Sequence, residues 1–313
     1  MSDDNKRFLD HLGVTAWHNA GYTGRRGLTA TAEEIISPST HAKETMAVFR
    51  LIAPDRQLIH LPMYGSYKDG VYTSKLIDVA LPEILKQGVD TYYASLTGNV
   101  CDVAQIDNAL AALKDQCCLF FAAGNDGEKE FSRIIQSKYV WGVGAYYLMA
   151  DTNEMRPAPF SSVSPDVEFC APTLINRFAG TSCSAPCLCG MAALVNDMAI
   201  DKTGRPLPQQ GMHRFLAGCA VDIGSKGEDD KTGIGAPVLP PPETVNIWDY
   251  QTEEGPVYTD EAKIPAWAKA DTAYCRQNGI LQGDKDGAFR PNEPVTRAEL
   301  ACALARLHRM LRA

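Results

Sequence analysis

Between Gly27 and Ala236, short apolar runs alternate with longer stretches in which apolar residues return every three to four positions. The short runs, rich in β-branched and aromatic residues, fit buried strands, and the 3.6-residue spacing fits amphipathic helices. The pattern predicts strands over 57–61, 90–96, 117–123 and 139–145, with a first strand leaving Gly27. It predicts helices over 41–52, 74–87 and 184–198, the second stopping before Gly88 as a helix C-terminus favours. Strands and helices in alternation build βαβ units, and hence an α/β fold with a parallel β-sheet flanked by helices.

The periodicity fades over 238–265, a stretch rich in proline and acidic residues that reads as a linker. Beyond it, 267–278 has the pattern of one amphipathic helix, GILQGDKDGAFRPNEP that of a glycine-rich turn, and 296–311 that of a second helix capped by Thr296. The chain therefore divides into a domain over 1–237, a linker over 238–265 and a small helix-loop-helix module over 266–313.

With 45% hydrophobic and 22% charged residues, the composition is that of a globular protein. The formal charge of -8 and the absence of a long Lys/Arg cluster argue against nucleic acid as a partner. The first residues, MSDDNKRFLDHLGVTAW, lack the apolar stretch of a secretory signal, and no run of about 20 apolar residues reads as a membrane span. A cytoplasmic location is the expectation. Of ten cysteines none has zinc-ribbon spacing, and helical geometry puts only Cys183 and Cys187 of the cluster Cys183, Cys187 and Cys189 on one face. Neither a metal nor another cofactor is expected.

The segment with the most chemistry is Gly180-Thr181-Ser182-Cys183-Ser184-Ala185-Pro186, a turn into a helix with proline near its start. Such a turn mounts a hydroxyl where the helix dipole and free amides favour developing negative charge; a plain capped helix has the same spacing. Upstream, Ala122-Ala123-Gly124-Asn125-Asp126-Gly127 follows a predicted buried strand, where an Asn-Asp-Gly turn is common without any chemistry.

Together these segments resemble the subtilases. The Gly-Thr-Ser-x-Ser-Ala-Pro run is similar to that family's serine motif, and Asn125 matches its oxyanion-hole residue. VWGVGAYY and PFSSVSPDVEFCAPT lie between them in family order, GVTAWHNAGYTGRRG and GVDTYYASLTG precede them, and EDDKTGIGAP follows, so the likeness reaches from Gly13 to Pro237. The resemblance implies a serine endopeptidase acting on a peptide or protein. Ser182 is then the nucleophile, and Asn125 stabilises the oxyanion together with a backbone amide. Ser95, Leu96, Thr97 and Gly98 form one wall of the substrate cleft, with Ala123 and Gly124 opposite.

HAKETMAVFRLIAP keeps the family's His and its closing Ala-Pro, which makes His41 the candidate base, although Ala42 and Lys43 replace the usual Gly-Thr. A second register places Pro38 at that position. The family's acid is an Asp at the end of the first strand, whereas GLTATAEEIISPSTH has none. Counting from Gly27, with Leu28, Ala30 and Ala32 on one face, Glu34 falls where that Asp belongs, and Glu33 stays open as the alternative. A Glu can orient the imidazole as an Asp does.

The C-terminal stretch AWAKADTAYCRQNGILQGDKDGAFRPNEPVTRAELACALARL resembles an S-layer homology repeat. That likeness implies cell-wall polysaccharide as a partner, with Trp267 and Arg297 as glycan contacts. A single repeat does not build the family's assembly alone, so it either pairs between chains as a homo-oligomer or acts as a docking unit. Two other readings stand beside the peptidase. One is a catalytically inactive binding protein on the same fold; the other is a surface-associated component, of the sort a bacterial prophage encodes, exported by another route.

Overall fold

The computed structural model describes residues 2–63, 67–68, 71–72, 75–96, 102–127, 131–251, 258–277, 280–281, 283–284 and 286–310. Two compact units divide the chain between Val245 and Asn246.

The first unit opens with α1 (Asp3–His11) and α2 (Val14–Asn19), two helices that the sequence pattern did not reveal. Then come β1 (Leu28–Thr31), α3 (Thr40–Ile52), β2 (Gln57–His60) and the short hairpin β3 (Tyr67–Lys68) and β4 (Val71–Tyr72). A π-helical turn over Leu76–Ala80 runs into α4 (Leu81–Gln87), which ends at the left-handed Gly88. β5 (Thr91–Ala94), α5 (Val103–Leu110), β6 (Cys118–Ala122), β7 (Val140–Leu148), β8 (Met155–Pro157) and β9 (Val167–Pro172) follow. The unit closes with α6 (Thr181–Thr203), α7 (Gln209–Gly218) and the antiparallel pair β10 (Ala220–Val221) and β11 (Ala236–Pro237).

The main sheet runs β2-β1-β5-β6-β7, all parallel, with β9 parallel and β8 antiparallel to β7. Two layers cover it. On one face Ala30, Ala32, Tyr92, Leu119 and Phe121 pack with Leu81 and Ile84 of α4 and Ile106 and Leu110 of α5. On the other lie α3 and α6, where Tyr93 of β5 stacks on Phe49 of α3 with ring centroids 5.5 Å apart. α6 is long and apolar enough to cross a membrane by composition, yet 94% of its apolar window is buried within the protein, as suits the central core helix. It meets α3 at Gly190, where an added Cβ would lie 2.8 Å from Ile52 Cβ, so only glycine allows this approach.

The predicted strands and helices are present with shifted ends, and β9, α5 and α7 are additional. The stretch 238–265 is not a free linker throughout. Leu239 is buried and its amide donates to Leu12 O, while Trp17 Nε1 donates to Pro240 O, so the chain up to Val245 belongs to the first unit. The second unit begins with a 3-10 turn over Ile247–Tyr250 and carries α8 (Ala266–Gln277) and α9 (Arg297–Met310). There the buried Tyr258 donates to Leu281 O at 2.8 Å, which ties the end of the supposed linker into this unit.

Candidate active site

The parallel strands β1, β5 and β6 end side by side, and the chain leaving their carboxyl ends carries Glu33, Ser95 and Asn125 respectively. This is the edge at which parallel α/β sheets place their ligand crevices. The first turns of α3 and α6 supply His41 and Ser182.

Ser182 follows Gly180, whose φ of 111° suits glycine, and Thr181, the first residue of α6. Its residue is only 8% exposed. Pro186 stands four residues later and has no N–H, so the Ser182 carbonyl lacks the usual helical donor. Ser95 fills that place, its hydroxyl donating to Ser182 O at 2.9 Å, while the Ser182 hydroxyl donates to Ser95 O at 3.0 Å. This reciprocal pair fixes the start of α6 to the end of β5.

Asn125 is held from the same turn. Its Oδ1 accepts from the Thr181 amide at 2.9 Å and from the Thr181 hydroxyl at 3.1 Å. With the oxygen engaged, the exposed side chain keeps its NH₂ group for a ligand, beside the first-turn amides of α6 that have no intrahelical partner. Gly124 supports this arrangement: its φ is 124°, and a Cβ there would lie 2.5 Å from Ser162 Oγ. Ser95, Ala123 and Gly124 are buried at the site edge, and Leu96 is half-buried against the core on the α4/α5 side. Thr97 and Gly98, expected in the same wall, lie outside the described residues.

His41 sits one residue inside α3, which Ser39 caps by accepting from the Ala42 amide at 3.0 Å. The imidazole packs edge-on against Phe178 with centroids 5.6 Å apart. Its Nδ1 lies 3.4 Å from Glu33 Oε2, and Glu33 is only 4% exposed. The hydrogen bond with Glu33 raises the His41 pKa above its ordinary value, against the opposing effect of burial.

Glu34, the acid expected from sequence, does not face His41. Its Oε1 accepts from the Ile36 amide at 2.8 Å and its Oε2 lies 3.6 Å from His60 Nδ1, in an exposed position. The Ile36 bond lowers its pKa. The difference has a plain physical cause. Ala30 and Ala32 point to the α4/α5 layer, and counting along their face led to Glu34. The face covered by α3 and α6 is instead the one bearing Thr29 and Thr31, and Glu33 continues it.

Cys183, next to the nucleophile candidate, is buried with its thiol pKa pushed up to about 12, and burial likewise raises Cys187 and Cys189. Burial keeps all three thiols in their protonated form.

In the second unit Trp267 is 83% exposed and Arg297 is exposed. A groove of about 570 Å³ lies nearer the turn, among Ile280, Asp284, Phe289, Arg290, Pro294 and Cys302, and its described lining includes neither Trp267 nor Arg297. Thr296 and Glu299 form a capping box at the start of α9, with Glu299 also paired to Arg290 at 3.1 Å.

Parallel strands ending under a helix-borne serine make an α/β scaffold with its crevice at the carboxyl ends of the strands. The subtilase family model matches residues 42–235 and an S-layer homology domain model matches residues 257–301; the chain belongs to the subtilase family and carries an S-layer homology domain behind its peptidase domain. The subtilase match begins just after His41. Among solved structures, a lanthipeptide protease is 17% identical with a TM-score of 0.56, covering 76% of this chain and 94% of its own. A prenylagaramide maturation protease is 19% identical with a TM-score of 0.57, covering 76% of this chain and 97% of its own. At these identities the likeness establishes the fold. A search of curated proteins finds no match.

Proposed function

We propose that the protein is a serine endopeptidase in which Ser182 attacks the scissile carbonyl, His41 takes its proton, Glu33 orients the imidazole and Asn125 stabilises the oxyanion. The observation that carries this reading is the buried Glu33 carboxylate on His41 Nδ1, which leaves Nε2 as the basic nitrogen, as a triad requires. The Ser182 proton passes to Nε2 as the Oγ–C bond forms, and His41 returns it to the leaving amine. Water then repeats the sequence to release the acyl group. Peptide processing by the two structural neighbours supports a peptide substrate.

One observation favours a non-catalytic peptide-binding protein: the Ser182 hydroxyl is engaged by Ser95 O. A turn about χ1 releases it, and a fluorophosphonate probe separates the two readings. The expected outcome is one adduct, read by intact mass, that Ser182→Ala abolishes and His41→Ala strongly slows. A folded wild type that stays unlabelled defeats the catalytic reading.

The S-layer homology domain supports action at a cell surface, with Trp267 and Arg297 as glycan contacts. Leu300, Leu304 and Leu307, exposed at i, i+4 and i+7 of α9, support assembly with further copies. Co-sedimentation of the full chain with purified cell walls, lost in a Trp267→Ala, Arg297→Ala double variant, is the expected result.

A further inference from the structure

Two buried oxygens of the residues around the Glu33–His41 pair have no hydrogen bond of normal geometry: Glu33 Oε1 and the Tyr93 hydroxyl. Such groups are rare in native proteins because each costs free energy comparable to a lost hydrogen bond. Here one is an acceptor and the other a donor, and the negative charge of Glu33 reaches the phenol, helping burial to hold its proton on.

Thr31 adjoins both residues. It is paired in register with Tyr93 across β1 and β5, so both side chains project to the α3/α6 face. Its Oγ1 accepts the Glu33 amide at 3.1 Å. The Tyr93 hydroxyl lies beside the Thr31 and Thr45 hydroxyls, and Thr45 has its proton committed to Ala42 O at 2.9 Å. A threonine hydroxyl accepts two hydrogen bonds and donates one. Thr31 therefore has one lone pair and one proton left, the complement of what Tyr93 and Glu33 lack.

We propose that Tyr93 and Thr31 are positioning residues for the acid, with Tyr93 O–H donating to Thr31 Oγ1 and Thr31 O–H donating to Glu33 Oε1. This rests on reading Glu33 as the triad acid. The relay fixes the carboxylate while Oε2 faces His41. Tyr93 also stacks on Phe49 of α3 and its hydroxyl lies near Thr45, one turn below His41. One side chain thus braces both the strand that carries the acid and the helix that carries the base.

The test is a pH titration of the Glu33 carboxyl by ¹³C NMR in the full chain, its signal assigned by its loss in Glu33→Gln. Removing a donor from a buried carboxylate disfavours its charged form, so Thr31→Val is expected to raise the Glu33 midpoint by about one pH unit and Thr31→Ser to restore it. Tyr93→Phe, which leaves the Thr31 donor in place but unbraced, is expected to raise it in the same direction by less. In peptide hydrolysis Thr31→Val and Tyr93→Phe are expected to lower kcat roughly tenfold with little change in KM. A Glu33 midpoint unmoved in folded Tyr93→Phe and Thr31→Val overturns the relay. The titration needs no turnover, so it reads the relay even in a protein that the fluorophosphonate leaves unlabelled; an active enzyme with an unmoved midpoint defeats this inference alone. A crystal structure of the wild type with Thr31 Oγ1 beyond about 4 Å from Glu33 Oε1 overturns it as well.

Discussion

The two halves of the site are built differently. The nucleophile half is bound into the core: Thr181 is fully buried, Ser95 is 4% exposed, and reciprocal hydrogen bonds tie the ends of β5 and β6 to the first turn of α6. The base half hangs on the excursion from Glu33 to the cap at Ser39, and the His41 side chain is 38% exposed. The nucleophile half is fixed by its own turn motif and by contacts from two strand ends, Ser95 after β5 and Gly124-Asn125 after β6. The base half depends on which face of β1 is covered by α3, and on how closely α3 approaches α6.

The sharpest break of this comparison is Glu33→Gln, which keeps the shape and removes the charge. We expect kcat/KM for peptide hydrolysis to fall roughly 10³- to 10⁴-fold, the scale of acid-to-amide changes in other triads. His41 must be neutral to act as base, and its raised pKa places the acid limb of the wild-type pH–rate profile above the ordinary value of 6.5. In Glu33→Gln the residual activity is expected to show that limb displaced to lower pH; an unmoved limb breaks the pairing. The same shift makes a stabilising contribution that is fully present below pH 6.5 and lost as pH rises through the folded-state value.

Asn125→Ala tests the nucleophile half. A loss of roughly 10²- to 10³-fold in kcat is expected, a magnitude taken from a subtilisin and so tied to the family rather than independent of it. KM is expected to stay near the wild-type value. Gly190→Ala tests the joint between halves: forcing α3 off α6 is expected to cost about 1–3 kcal/mol by denaturant unfolding. The rate should fall with it, because His41 moves relative to Ser182. The smallest effect is expected from Glu34→Gln, within about twofold in kcat/KM, since the exposed Glu34 carboxylate contributes little where it lies, beside His60. A large loss there instead would restore Glu34 as the acid.

Legibility from sequence follows the same division. The alternation of apolar runs made the parallel sheet readable, because a strand buried on both faces must be apolar throughout. β9 escaped because Val167–Pro172 is a short run interrupted by Glu168 and closed by Pro172, residues that strands disfavour. α1 and α2 escaped because α1 is largely polar and α2 has only six residues. The docking of the start of 238–265 was not legible because proline-rich backbone docks through its carbonyls, as Pro240 does on Trp17, and that leaves no periodic trace.

For the site, Ser182 and Asn125 could be named from local runs because the constraints on them are local: a glycine at positive φ, a helix start, and a proline that frees one carbonyl. The sequence by itself determined the subtilase scaffold, the serine turn and the C-terminal repeat. Only the tertiary structure decided that Glu33 and not Glu34 faces His41, and that Tyr93 and Thr31 lie close by. Adjacent residues of an extended chain point to opposite sides, and which side becomes the active site depends on the packing of α3 and α6 across the sheet.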